Sequence, residues 1–206
     1  MEYFLIGYFP KRIVTRTNWQ VLQKEWPEST FPAPTSVHSI CSASNCISKG
    51  PRGFDFPEIS EQSFNQYGGF NRLDDAKSAI PPKQESEFAL FAYAVPEWIY
   101  EEGKSIPDEI GCVEPEEMPN DGLGFQKLGF DVIDMSNCNI GHSPLSCNGQ
   151  AGLHESKVNS YCLVDKEEDA LQLAELFSIE KPEPGNYMVI EIWILSDSFC
   201  CNEVLS

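Results

Sequence analysis

The stretch from Tyr161 to Leu195 constrains the fold most, because it predicts a strand, a helix and a second strand in direct succession. After a short apolar run, alanines and leucines recur at helical spacing over Lys166–Ser178, which predicts a helix with one apolar face. Asp165 is expected to cap this helix, since Glu168 follows at the spacing of a capping box. Beyond a proline-rich break, Tyr187–Leu195 is β-rich with one charged residue, which predicts a central strand.

A weaker copy of this pattern lies earlier in the chain. Asp74–Ile80 predicts a short helix, and Phe88–Val95 predicts a second interior strand. A cysteine-bearing loop precedes the unit in both copies, at Cys41–Cys46 and at Cys138–Cys147. The sequence therefore predicts an α+β fold, with pseudo-duplicated strand-helix-strand units on a mixed, mainly antiparallel sheet with long irregular loops.

The length and the apolar content predict one domain. At 206 residues with 41% hydrophobic residues, the chain is long enough to bury a substantial core. We expect a single domain over 1–206, built from pseudo-repeat halves at about 1–96 and 122–195. An acidic connection over 97–121 joins the two halves.

The charge balance limits the classes of partner. The chain has 32 acidic and 14 basic residues, a net charge of −18. This balance argues against direct nucleic-acid binding, because phosphate contacts need lysine and arginine, and it argues equally against anionic membranes. One interpretation is that the charge serves solubility, and the other is that it speeds encounter with a basic protein. The second predicts a basic partner, with a toxin domain as one example.

The acids are densest in 97–121, where Lys104 is the only basic residue. Trp98, Ile99 and Tyr100 lie inside this segment and are expected to anchor it as a strand continuing past Pro96. The segment is either a solvated connection or an acidic binding edge with aromatic anchors. The candidate partner-binding residues are Glu97, Trp98, Tyr100, Glu101, Glu102, Asp108, Glu109, Glu114, Glu116 and Glu117.

The eight cysteines admit more than one interpretation. We expect reduced thiols in the cytoplasm, because the sequence shows neither an export signal nor the ~18 apolar residues that span a bilayer. Cys138, His142, Cys147 and His154 offer four ligands of the types that zinc prefers, but without a CxxC knuckle. We therefore expect no cofactor, and a zinc-stabilised module stays an alternative.

No catalytic residue is predicted, although one alternative uses the same loop. Cys147 is a candidate nucleophile with His142 or His154 as its base, but no family signature surrounds these residues. Phosphate-binding glycine motifs are missing from the sequence as well. A cysteine-dependent enzyme is therefore kept only as the second hypothesis.

Three resemblances bear on function. The YCLVDKEEDALQLA element resembles the strand-Asp-helix element of ADP-ribosyltransferase-like folds, which implies an enzyme of that type as an alternative. The LGFDVID, SPLSCNG and PGNYMVIEIW elements resemble small acidic bacterial proteins without an assigned activity. In size, acidity and lack of motifs, the chain is similar in type to toxin-neutralising immunity proteins of bacterial competition systems. That similarity implies a non-enzymatic inhibitor of a basic, nuclease-like toxin, related to proteins that mimic DNA.

Overall fold

A computed structural model describes residues 1–12, 14–15, 38–39, 65, 67, 69–80, 88–104, 120–136, 139–140, 143–145, 158–159, 161, 163–180 and 185–196. Their helices and strands, in chain order, are β1 (Tyr3–Arg12), β2 (Val14–Thr15), β3 (His38–Ser39), α1 (Leu73–Ser78), β4 (Phe88–Pro96), α2 (Glu97–Lys104), a 3₁₀ turn (Asp121–Leu123), β5 (Phe125–Ser136), β6 (Asn139–Ile140), α3 (Glu167–Glu180) and β7 (Tyr187–Leu195).

The four long strands form one sheet in the order β1-β4-β7-β5, and the two-residue β6 follows β5 at one edge. Short strands β2 and β3 pair with each other. Every strand pairing in the described part of the chain is antiparallel. The predicted α+β class is confirmed, while the parallel component of the expected mixed sheet is not found in these ranges.

Both strands predicted to be interior are interior. β4 lies between β1 and β7, and β7 lies between β4 and β5. Tyr93 and Ile192 are opposite each other in the β4–β7 pairing, and both are fully buried. Aromatic and β-branched side chains suit these positions, because a central strand buries side chains on both faces of the sheet.

Helices cover both faces of the sheet. α1 and α3 pack on one face, where Ala76 of α1 joins one apolar cluster and α3 joins another. α2 packs on the opposite face through Ile99. The buried residues of α3 are Ala170, Leu173, Ala174 and Phe177, at the spacing that the sequence predicts for its apolar face.

A glycine bulge interrupts each of the two strands β1 and β5. Gly7 has φ 142° and Gly129 has φ 141°, and the strand register shifts at each of them. The side-chain amides of Asn65 and Asn159 each donate to the carbonyl oxygen of the residue before the bulge glycine, at 2.6 and 2.9 Å. These local features match between the two predicted halves. Duplication of the halves as a whole stays a prediction, because both cysteine loops lie mainly outside the described residues.

The predicted cap of α3 is wrong. The first intrahelical bond runs from the Ala170 backbone N–H to the Lys166 carbonyl oxygen, so Lys166 and not Asp165 occupies the cap position. Asp165 instead accepts a hydrogen bond of 2.8 Å from the Nδ2 of Asn159. The Asp165 carboxylate therefore stabilises the turn before α3. It does not cap the backbone N–H groups of the first helical turn.

The segment after Pro96 is a helix and not the expected continuation of a strand. Proline lacks the N–H that a further ladder bond would need, and β4 ends at this residue. α2 begins immediately afterwards with Glu97, an acidic residue that favours the positive end of the helix dipole. This change of structure turns Trp98, Ile99 and Tyr100 in three different directions.

In the described part of the chain, no helix has both the length and the apolar character needed to cross a membrane.

Candidate functional site

A groove lies beyond the end of the pairing between β4 and β7. These two strands pair through Phe91–Ala94 and Glu191–Ile194, although β4 extends to Pro96 and β7 begins at Tyr187. A cavity of about 320 Å³ at that end of the sheet is lined from α2, α3, the start of β7 and the first residue of the chain. Among the described residues, no charged side chain lines this cavity. Met1 also lines the cavity and carries the N-terminal ammonium, which lies 3.5 Å from Glu167 Oε1. The site is therefore a concave surface without charged side chains in its described lining, which we call the β4–β7 groove.

Large apolar side chains are exposed at this groove. Trp98 is 53% exposed, Leu171 is 41% exposed and Met1 is 66% exposed, and all three line the cavity. The other large apolar side chains exposed in the described part of the chain, Leu123 and Ile179, do not line it. Exposed apolar residues that cluster around a concavity are typical of interaction sites, whereas isolated ones are ordinary.

The packing of α2 fixes Trp98 at the groove. Ile99 is 2% exposed, and its carbonyl oxygen accepts a hydrogen bond of 3.5 Å from the Tyr67 hydroxyl. The half-buried ring of Tyr100 stacks on Phe4 with ring centroids 5.1 Å apart. Because successive helical residues are about 100° apart, burial of Ile99 and stacking of Tyr100 leave Trp98 on the outer side of the helix. The packing of Ile99 and Tyr100 therefore keeps the Trp98 indole on the outer side of α2.

Carboxylates lie on the two helices that contribute to the groove. On α3, Glu167, Glu168 and Glu175 lie three or four residues from Leu171, so they occupy neighbouring positions on the helix surface. The exposed Glu97 precedes Trp98, and its backbone N–H donates to the Glu2 carbonyl oxygen at 3.2 Å. A surface without charged side chains in its described lining, with exposed carboxylates on the helices beside it, favours a ligand that combines an apolar group with cationic flanks.

A half-buried phenol adjoins this site on the same face of the sheet as α3. The Tyr3 hydroxyl donates a hydrogen bond of 3.2 Å to Glu167 Oε1, which also lies 3.5 Å from the N-terminal ammonium of Met1. Burial raises the pKa of Tyr3 far above its usual value, and the charge of Glu167 raises it further. The phenol therefore keeps its proton at neutral pH and acts as a hydrogen-bond donor.

An ion pair lies two residues along β7 from the groove. Lys127 is paired with Glu191, whose side chain is only 9% exposed, and the Lys127 ammonium lies 4.1 Å from the centroid of the Phe130 ring. Phe130 is opposite Glu191 in the β5–β7 register, so the carboxylate and the aromatic ring hold the same cation from two sides. This arrangement balances a nearly buried charge on a central strand.

The buried carboxylate of Asp131 on β5 accepts hydrogen bonds from its own strand and from a neighbouring loop. Asp131 Oδ1 accepts hydrogen bonds from the Val132 backbone N–H at 2.8 Å and from Ser143 Oγ at 2.6 Å. Both Asp131 and Ser143 are fully buried. The pair attaches the loop that contains Ser143 to the sheet, and the sequence pattern alone did not single out either residue.

Five of the ten predicted partner-binding residues lie among the residues that the structure describes. Trp98 lines the groove and Glu97 lies beside it, whereas Tyr100 is half-buried against the core. Glu101 and Glu102 lie in α2. The remaining five, Asp108, Glu109, Glu114, Glu116 and Glu117, lie outside the described residues.

The candidate zinc ligands Cys138, His142, Cys147 and His154 also lie outside the described residues, and Cys147 is also the candidate nucleophile of the cysteine-enzyme alternative. Within the ranges that the structure describes, no group of three or more His, Cys, Asp or Glu side chains is arranged to hold a metal ion. The zinc and cysteine-enzyme alternatives stay predictions.

Sequence reasoning missed most of the groove. Leu171, Ala174 and Ser178 follow one another at helical spacing along α3 and line the cavity. The periodicity indicates that they share a side of the helix, but it also fits a fully buried core face. Whether this side of α3 is exposed depends on where β4 ends and where α2 begins. Only the fold shows those positions.

Comparisons of the chain with protein-family models, with curated proteins and with solved structures find no match in any of the three.

Proposed function

We propose that this protein is an acidic binding protein without catalytic activity, an inhibitor of the immunity type that neutralises a basic partner in the cytoplasm. A nuclease-like toxin domain is the partner class that fits best, because such domains carry basic surfaces for holding phosphates. The observation that carries the proposal is the exposed indole of Trp98 at a groove whose described lining has no charged side chain, with exposed carboxylates on the helices beside it. A protein with net charge −18 can cover a basic surface in the way that DNA does.

The exposed carboxylates and the Trp98 indole contribute to different steps of binding. Exposed carboxylates raise the rate of encounter with a cationic partner, and salt screens that effect over about 8 Å at physiological ionic strength. A partly exposed tryptophan at the edge of a concave site is the kind of side chain that dominates the dissociation rate once it is buried by a partner. Trp98 and the carboxylate of Glu97, neighbours in α2, combine both properties.

The test begins with the partner. The tagged protein is used as bait in extracts of its native cell and against the product of the neighbouring gene, and a captured partner is purified and assayed for cleavage of DNA and RNA. We expect a basic partner whose nuclease activity falls in proportion to the amount of added protein. A captured partner that is acidic, or one that keeps full activity when saturated, would contradict the proposal.

Matched charge variants separate a specific surface from overall charge. Glu97→Lys with Glu175→Lys reverses two exposed carboxylates beside the groove, and Asp74→Lys with Asp75→Lys reverses two exposed carboxylates on α1, for the same change in net charge. The first pair is expected to slow association several-fold and to weaken its salt dependence, while the second pair has a smaller effect. Equal effects of both pairs would show that the groove side of the protein has no special part in binding.

A further inference from the structure

The geometry points to a specific mode of recognition that rests on the proposed function. We propose that the β4–β7 groove takes one large apolar side chain from an extended segment of the partner, with lysine or arginine on either side of that side chain. Trp98 and Leu171 would contact the apolar group, and the carboxylates of Glu97, Glu168 and Glu175 would face the cations.

The size and the lining of the groove favour a single side chain. A volume of about 320 Å³ is near the lower end of the range for ligand pockets, which run from roughly 300 to 1,000 Å³. Trp98, Leu171, Tyr187 and Val189 present apolar surface to it, and no charged side chain among the described residues lines it. Ser178 and Asn186 are polar side chains in the described lining, and neither is charged, so a charged group placed here would lose water without an opposite charge to pair with. An apolar group is therefore the chemistry that the groove favours.

The carboxylates beside the groove favour basic residues on either side of the bound side chain. Glu97 on α2 and Glu168 and Glu175 on α3 are exposed on elements that form the groove. Placing a second copy of this chain against the groove would bring another molecule of net charge −18 to the same acidic border. Like charges brought together in this way oppose association, so a basic segment is favoured over self-association.

The probe is a short synthetic peptide with blocked ends, Lys-Lys-Gly-Phe-Gly-Lys-Lys, compared with a peptide in which alanine replaces the phenylalanine. Binding at low salt is followed by tryptophan fluorescence and by chemical shifts of the indole N–H groups, with Trp98→Phe used to assign the Trp98 signal. We expect the phenylalanine peptide to bind about tenfold more tightly and to shift the Trp98 signal, because it alone buries an aromatic ring.

Two variants on one helix provide the matched control. Leu171→Glu places a charge in the groove, and Ile179→Glu makes the same kind of change at a side chain that is 74% exposed and outside the groove. We expect Leu171→Glu to reduce the tenfold preference to less than twofold and Ile179→Glu to leave it intact. Trp98→Ala serves as a second groove variant if Leu171→Glu does not fold, as judged by circular dichroism.

The outcomes separate the mode of recognition from the function. Equal binding of both peptides to the unmodified protein would overturn the groove inference and leave the acidic binding function standing, since cations alone would then explain affinity. Failure of both peptides to bind at low salt would count against the proposed function as well. A dimer in sedimentation experiments that Leu171→Glu dissociates would show that the groove takes a second copy, which would also overturn the inference.

Discussion

The Nδ2 atom of Asn159 lies 2.9 Å from the backbone carbonyl oxygen of Leu128 and donates a hydrogen bond to it inside the β5 bulge. The Oδ1 atom of the same side chain accepts hydrogen bonds from the backbone N–H groups of Tyr161 and Leu163, at 2.9 and 3.2 Å. One amide therefore joins the bulge to the turn that precedes α3. Asn65 makes the corresponding set of bonds at the β1 bulge.

Asn159→Ala is expected to lower the free energy of unfolding by about 2–4 kcal/mol. The substitution removes the partner of one carbonyl oxygen and of two backbone N–H groups in a half-buried turn, and each unsatisfied group is costly. Urea unfolding followed by circular dichroism measures the change. Asn186→Ala is the control, because the exposed Asn186 side chain makes no hydrogen bond among the described residues. Equal stability of the two variants would show that the Asn159 bonds contribute no net stability.

Gly129→Ala is expected to destabilise the fold by about 2–3 kcal/mol or more. Gly129 has a φ of +141°, and a Cβ atom there would lie 2.7 Å from the Val164 carbonyl oxygen, which accepts a hydrogen bond from Phe130. Thermal unfolding of the variant measures the loss. Gly122→Ala is the control, since its Cβ would meet only the Asn120 side chain, at 3.0 Å, in an exposed turn. A variant at 129 that melts at the wild-type temperature would contradict the register assigned to the bulge.

Tyr3 is expected to make stability depend on alkaline pH. Burial and then Glu167 raise the pKa of Tyr3, so its contribution is complete below the unfolded-state pKa near 10 and is lost as the pH rises through the folded-state value. Tyr3→Phe should cost about 1 kcal/mol at pH near 8, where the hydrogen bond to Glu167 is intact. The difference should shrink between about pH 10 and pH 11. A difference in unfolding free energy that stays constant over this range would refute the assignment.

Lys127 and Glu191 are expected to be energetically coupled. Lys127→Met leaves the nearly buried carboxylate of Glu191 without its cation and should lower the free energy of unfolding by about 2–4 kcal/mol. Adding Glu191→Met should restore much of this loss, because two apolar side chains then replace the pair. A double-mutant cycle by urea unfolding measures the coupling, which should be about 1–2 kcal/mol. Additive losses would indicate that the two charges act independently.

The fold could be predicted from the sequence where periodicity and burial agree. Phe88–Val95 and Tyr187–Leu195 contain few polar residues, and a segment of this kind is stable only inside a sheet covered on both faces. The apolar stripe of α3 was equally clear. The bulges were not predicted, because a glycine within a β-rich segment gives no sign of whether a distant asparagine will reach it.

The candidate site was only partly predictable for a related reason. Trp98 was identified from the acidic segment that contains it, but with the wrong secondary structure, since strand propensity of the aromatic residues competed with the stop at Pro96. The other side of the groove comes from Leu171 and from the start of β7, far away in the chain. The number of residues over which β4 and β7 pair determines where the two sides of the groove meet. No local sequence pattern encodes that number.

Trp98 and Ile99 are neighbours in α2 with opposite expected roles. Ile99 is 2% exposed, so Ile99→Ala should lower the free energy of unfolding by about 2–4 kcal/mol. Trp98 is 53% exposed, so Trp98→Ala should change it by less than about 1 kcal/mol while speeding dissociation of a bound partner several-fold. Urea unfolding and surface-plasmon kinetics measure the two quantities, and Leu123→Ala, at 46% exposure outside the groove, controls for loss of an exposed apolar side chain. A large stability loss with an unchanged dissociation rate for Trp98→Ala would assign the indole to the core, and the binding surface would then have to lie elsewhere.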